Sequence, residues 1–201
     1  MGQLLTRAFW ITIIAVVLSG SAMAGTTAWK IDPAHTAAQF AVKHFMISTV
    51  RGAFKGVNGT ITWDDQDVTK STVNVTIDAT TVNTGEPARD KDLKSEKFLD
   101  IAKYPTITFT SSKIEQAGAG KLKVTGDLAI RCVTKQVVLD VDGPSASIKD
   151  PYGNTRSALS ATTKINRQDF GVKWNASMDG GGAVVSDDVN ITIDLEMTKQ
   201  K

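Results

Sequence analysis

From Trp29 to the end of the chain, apolar side chains recur at every second position, which makes the half-buried β-strand the repeating unit. Val73, Val75 and Ile77 face one way, and Thr72, Asn74, Thr76 and Asp78 the other. The pattern returns at the end, where Val189, Ile191, Ile193, Leu195 and Met197 alternate with Asn190, Thr192, Asp194, Glu196 and Thr198. Ile107 and Phe109 mark a strand over 106–110, and Leu122, Val124, Leu128, Ile130 and Cys132 share one face of a strand over 121–132. Runs at 36–45, 50–63, 136–141 and 156–166 bring the expected number of strands to eight.

The links are short and turn-like, at 117–120, 133–135 and 143–153. Short links favour antiparallel neighbours, because parallel strands need long crossovers. The sequence therefore predicts an all-β fold, an eight-stranded antiparallel up-and-down barrel without exposed edges. A two-sheet sandwich is the alternative. One stretch breaks the rhythm: between Pro87 and Pro105 helix formers such as Arg89, Lys91, Leu93, Lys94, Glu96 and Leu99 predict one or two short helices. Inserted between the third and fourth strands, they belong at a barrel mouth, as a solvated connector or as a lid. No repeat or linker divides residues 25–201, which read as one domain.

The 201 residues carry 23 Lys and Arg against 21 Asp and Glu, without the basic excess of a nucleic-acid footprint. One Cys and two His exclude a disulfide scaffold and a zinc–thiolate centre. Residues 1–24 read as a cleaved secretory signal, with Arg7, an apolar run over 8–18 and the small-x-small triplet Ala22-Met23-Ala24. A retained span needs about 20 apolar residues, and Ser19, Gly20 and Ser21 end this run early. The expectation is a periplasmic or secreted protein with no permanent membrane anchor, folded without an internal disulfide.

Few residues invite chemistry. His35 and His44 are nine positions apart and face opposite ways on one continuous strand, so a shared metal is disfavoured. A structural hydrogen bond is expected for each, with His44 on the inward face of Ala38, Phe40 and Val42. Cys132, in register with Leu128 and Ile130, reads as a small buried hydrophobe. No carboxylate pair suits hydrolysis, so a lipid-modifying enzyme using Cys132 or His44 is the weaker alternative. No cofactor or metal is expected. Gly118-Ala119-Gly120-Lys121 lacks the Ser or Thr and the helix of a phosphate loop, and Gly180-Gly181-Gly182 also leads into a strand.

The interior remains. An eight-stranded barrel is either filled by its side chains or just wide enough for one small ligand. Burying roughly ten methylenes contributes about 8 kcal/mol before ordering costs, near micromolar affinity. Strand parity puts Phe40, Val42, Phe54, Phe109, Leu128, Ile130, Leu159 and Ile165 around such a cavity, with His44 or Arg167 nearest a polar head. A filled barrel that binds through its outer surface is the other alternative.

The sequence resembles the YceI-like family of polyisoprenoid-binding proteins. The resemblance is carried in order by Ile31-Asp32-Pro33-Ala34-His35-Thr36, Lys43-His44-Phe45-Met46-Ile47, Val50-Arg51-Gly52-Ala53-Phe54 and Arg89-Asp90-Lys91-Asp92-Leu93-Lys94. It continues through Tyr104-Pro105-Thr106-Ile107-Thr108-Phe109, Gly126-Asp127-Leu128-Ala129-Ile130-Arg131-Cys132-Val133-Thr134-Lys135 and Asn166-Arg167-Gln168-Asp169-Phe170-Gly171. It implies a lipocalin-like barrel, exported to the bacterial periplasm or beyond, whose elongated apolar cavity takes a long-chain isoprenoid such as a polyprenyl lipid or quinone. It implies no enzymatic activity. Cys132 departs from the family's turn motif, which usually has Gly there. Whether the molecule is a monomer or a homodimer is left open.

Overall fold

The computed structural model describes residues 25–178 and 182–201, so the expected leader over 1–24 lies outside them, as do Gly180 and Gly181. The elements are β1 (Thr26–Ile31), β2 (Ala37–His44), β3 (Ser48–Phe54), β4 (Val57–Asp64), β5 (Thr72–Asp78), α1 (Pro87–Lys94), β6 (Thr106–Gly118), β7 (Lys121–Ile130), β8 (Val133–Asp142), β9 (Ile148–Lys149), β10 (Thr155–Asn166) and β11 (Val185–Lys199). β1 and β2 succeed one another along β11, with Ile31 opposite Met197 and Ala37 opposite Asp194. Likewise β4 pairs with β1 and β3 with β2. Each couple fills one place in the wall, so the barrel has eight positions, and pairing of β10 with β11 from Arg156–Thr198 to Asn166–Asp188 closes it. All pairings are antiparallel, and β4 to β8 pair in sequence order, the up-and-down arrangement that short links favour, before β10 and β11 complete the wall.

The strand boundaries depart from the expected ones where the alternation is broken. Thr26–Ile31 is an additional segment, short enough that two inward residues, Trp29 and Ile31, are its whole apolar signal. The run expected over 50–63 divides at Lys55–Gly56, where Gly56 has φ +66°. β6 continues past Thr110 to Gly118 because a bulge between Ser111 and Lys113 inserts one residue and returns Ile114 to the interior. The turn expected at 133–135 is the two-residue link Arg131-Cys132, with Arg131 left-handed at φ +56°. Cys132 is therefore exposed rather than buried: it leaves the strand at Ile130, and the parity that seemed to carry it inward no longer applies.

The one α-helix among the described residues, α1, starts on Pro87, after Glu86, whose carboxylate accepts from the Ala88 amide at 3.2 Å. It buries none of its residues. Asp90 tethers it by accepting from the Thr84 amide (2.8 Å) and hydroxyl (2.6 Å).

One end of the barrel is solid. Trp29, Ile31 and Met197 pack there, none more than 7% exposed. An ion-pair network braces the same end where β1 turns into β2. Arg156 pairs with Asp32 and Asp150, each at 2.7 Å, and with Glu196. Asp32 also accepts from His35 at 3.0 Å, the structural hydrogen bond expected of that histidine. The Arg156 guanidinium, and then His35, hold the Asp32 carboxyl well below the usual carboxylate range. The same guanidinium lowers Asp150 from 3.8 to about 2.

Depressed carboxyl values stabilise the fold above the unfolded-state value and lose that contribution as pH falls through the folded value. The hydrogen bond to Asp32 raises the His35 imidazole above 6.5, so its contribution has the opposite sense: present below that value, lost as pH climbs through the raised one. Arg156→Gln is expected to lower stability at neutral pH and to flatten the acid limb between about pH 4 and about pH 2. Urea unfolding across that range checks it. Identical slopes for variant and parent would show that the network does not set the acid limb.

Candidate ligand cavity

Beyond the solid end the barrel is hollow. The cavity measures about 650 Å³, within the roughly 300–1,000 Å³ of small-molecule sites. Its wall is built by the inward parity of β2 to β11: Val73, Val75 and Ile77 on β5, Leu122, Val124 and Leu128 on β7, Val137, Leu139 and Val141 on β8, and Ile191, Ile193 and Leu195 on β11. Phe40 and Phe54 meet on adjacent strands with ring centroids 5.5 Å apart. Phe109 lies over Gly126, where an added Cβ would stand 2.5 Å from the ring, so a glycine is needed for the aromatic side chain to lie flat against β7.

All ten residues expected from parity, Phe40, Val42, Phe54, Phe109, Leu128, Ile130, Leu159, Ile165, His44 and Arg167, lie on this one lining. The lining also takes in residues outside that set. Trp63, Ile61 and the β5 valines carry the same alternation and were legible. Leu93, Phe98, Leu99 and Trp174 were not, because they sit in segments without a period. Phe98 and Trp174 pack at a tilt, ring centroids 5.2 Å apart, and join the connector after α1 to the loop before β11. Cys132 is not on the lining, so it and His44 do not share a site.

Among the described residues, exposed charged side chains enter the lining only along 86–97, where Glu86, Asp92 and Lys97 join the half-buried Arg89. They mark the mouth, opposite the solid end. The inserted segment thus borders the opening through its side chains while α1 itself stays solvated.

The two polar candidates differ. Arg167 is 6% exposed. Its Nη1 donates to the Val172 and Trp174 carbonyls, both at 2.7 Å, and its Nε to the Ser186 carbonyl at 3.0 Å. Its Nη2 donates to Asp187 at 3.0 Å and to the Val185 carbonyl at 3.4 Å. With five N–H groups to give, Arg167 has none left for a headgroup and acts as a post for the loop between the 3₁₀ turn at 167–170 and β11. Desolvation by burial draws its value below the usual arginine range. His44 has no side-chain hydrogen bond among the described residues, contrary to the structural role expected of it. Its ring packs at a tilt against Phe45, centroids 3.9 Å apart, and borders the cavity. His44 is the polar group that sequence reasoning placed here and that remains available.

Comparison with known proteins places this geometry. The YceI-like domain profile matches residues 29–197. Protein YceI of Escherichia coli O157:H7 is 38% identical over 185 residues, covering 91% of this chain and 92% of its own, and that of Salmonella newport is 37% identical over the same lengths. Among solved structures, Campylobacter jejuni YCEI superposes with TM-score 0.67 at 33% identity, covering 79% of this chain and 90% of its own. Burkholderia cenocepacia BcnA gives 0.70 at 25%, covering 83% and 98%. A Saccharophagus degradans protein described as a polyisoprenoid binding domain shares the fold at TM-score 0.63 and 17% identity, covering 87% of this chain and 99% of its own. The profile spans the barrel from β1 to the inward end of β11 and the curated relatives match over nine-tenths of the chain: this protein belongs to the YceI-like family.

Proposed function

We propose that the protein is an exported carrier that holds one long-chain isoprenoid, a polyprenyl lipid or an isoprenoid quinone, tail inward in the barrel. The observation that carries this is the cavity: hollow, walled mainly by apolar side chains, solid at one end and bordered at the other by the charged side chains of 86–97. Hydrocarbon gains about 0.8 kcal/mol per methylene buried, so such a wall favours a long tail without directional bonding. The headgroup would lie at the mouth, near His44, Arg89 and Lys97. The fold shared with a Saccharophagus degradans polyisoprenoid binding domain supports the same ligand class. The leader-like residues 1–24 support export, and carriage, storage and sequestration are all compatible with the cavity.

Mass spectrometry of an organic extract of the purified protein is expected to return an isoprenoid in about one-to-one ratio with the chain. The stripped protein should reload from added isoprenoid quinone. An empty extract together with no uptake would overturn the reading.

A further inference from the structure

The hairpin between β2 and β3 ends in three consecutive apolar residues that the fold does not use. Phe45 is 42% exposed, Met46 47% and Ile47 84%. Phe45 and Met46 both take left-handed backbone, at φ +50° and +59°, which turns their side chains out of the strand rhythm. Ile47 donates its amide to the His44 carbonyl at 3.2 Å, closing the tip. None of the three lines the cavity, yet His44 before them and Val50 after them do. The Phe45 amide also donates to Val184, another lining residue, at 2.8 Å. The tip therefore projects from the rim.

The outer face just below the tip is basic. Lys43 lies opposite Thr49 and Arg51 opposite Ala41, which makes Lys43 and Arg51 diagonal neighbours on one face of the β2–β3 pair. Neither side chain has an ion-pair partner among the described residues. The nearby acids of β11 are engaged, Asp187 with Arg167 at 3.0 Å and Asp188 with Lys164 at 2.9 Å. An apolar point backed by unpaired cations matches the two layers of an anionic bilayer surface: acyl boundary for the point, phosphate for the cations.

We propose that the Phe45–Ile47 tip is a membrane-docking element that seats the cavity mouth on an anionic phospholipid surface. The site is separate from the cavity wall, so its success or failure is read independently of what the cavity holds.

The test is co-sedimentation of the full-length mature chain with vesicles of phosphatidylcholine alone or mixed with phosphatidylglycerol. Binding is expected to the mixed vesicles and to weaken as salt is raised. Ile47→Ser, at a position too exposed to affect folding, should weaken binding about fivefold, and the Phe45→Ser, Met46→Ser, Ile47→Ser triple variant at least about tenfold. Lys43→Gln with Arg51→Gln should weaken it about tenfold and remove most of the salt dependence. Ile148→Ser with Tyr152→Ser removes equally exposed apolar groups near the solid end and should change nothing. Quinone loading from detergent, measured on the same proteins, should be unaffected in all of them. No binding of the parent to mixed vesicles overturns the proposal, as does equal loss in the Ile148/Tyr152 control. Loss of quinone loading in the parent overturns the cavity reading and leaves the docking result standing.

Discussion

Ala161→Phe is expected to weaken isoprenoid binding close to a thousandfold while leaving the barrel folded. Ala161 is 3% exposed, sits midway along β10 between Val141 and Ile193, and lines the cavity. In a close-packed core the added ring would force its neighbours off their rotamers at a cost of about 1–3 kcal/mol. Here it grows into open space and meets the apolar surface that would otherwise meet ligand. It displaces roughly five methylenes of tail, worth about 4 kcal/mol at 0.8 each. Titration of the stripped variant with isoprenoid quinone, alongside urea unfolding, separates the two quantities. Unchanged affinity at unchanged stability would mean that the lipid is held outside the barrel.

Arg167→Met is expected to destabilise the fold by about 3–5 kcal/mol, the usual result of removing one member of a buried charged cluster. The loss has a specific origin. The carbonyls of Val172, Trp174 and Ser186 accept from this guanidinium, and a buried acceptor left without a donor costs about 1–3 kcal/mol; the Val185 carbonyl keeps a second donor in Asn175 Nδ2 at 2.8 Å. Arg167→Lys should recover little, because an ammonium cannot reach carbonyls arranged around a planar fork. Hydrogen exchange should show the strongest loss of protection at Val172 and around Val185, where the backbone is held from both sides. A lysine variant as stable as the parent would show that charge alone, without the fork, suffices.

The alternation of β5, β7, β8, β10 and β11 made the barrel and most of its lining legible, since a period of two assigns each side chain a face once one face is known. Legibility failed wherever that period was interrupted. The bulge at Ser111–Lys113 hid half of β6, because one inserted residue reverses the parity of all that follow. Cys132 was assigned inward by extending the rhythm of Leu128 and Ile130 two residues too far, into a turn. Arg167 was seen as a polar residue near the cavity, but its partners lie up to 20 positions away across a loop, a relation no local pattern encodes. Phe98 and Trp174 meet only in three dimensions, between two aperiodic segments.

The packing of Trp29, Ile31 and Met197 makes the bore a blind one. Whatever slides in must back out by the same door, and its last carbon to leave is the first that entered. Release then proceeds by stepwise withdrawal along the wall, so residence time should lengthen with each prenyl unit added until the bore is full, whatever the chemistry of the head.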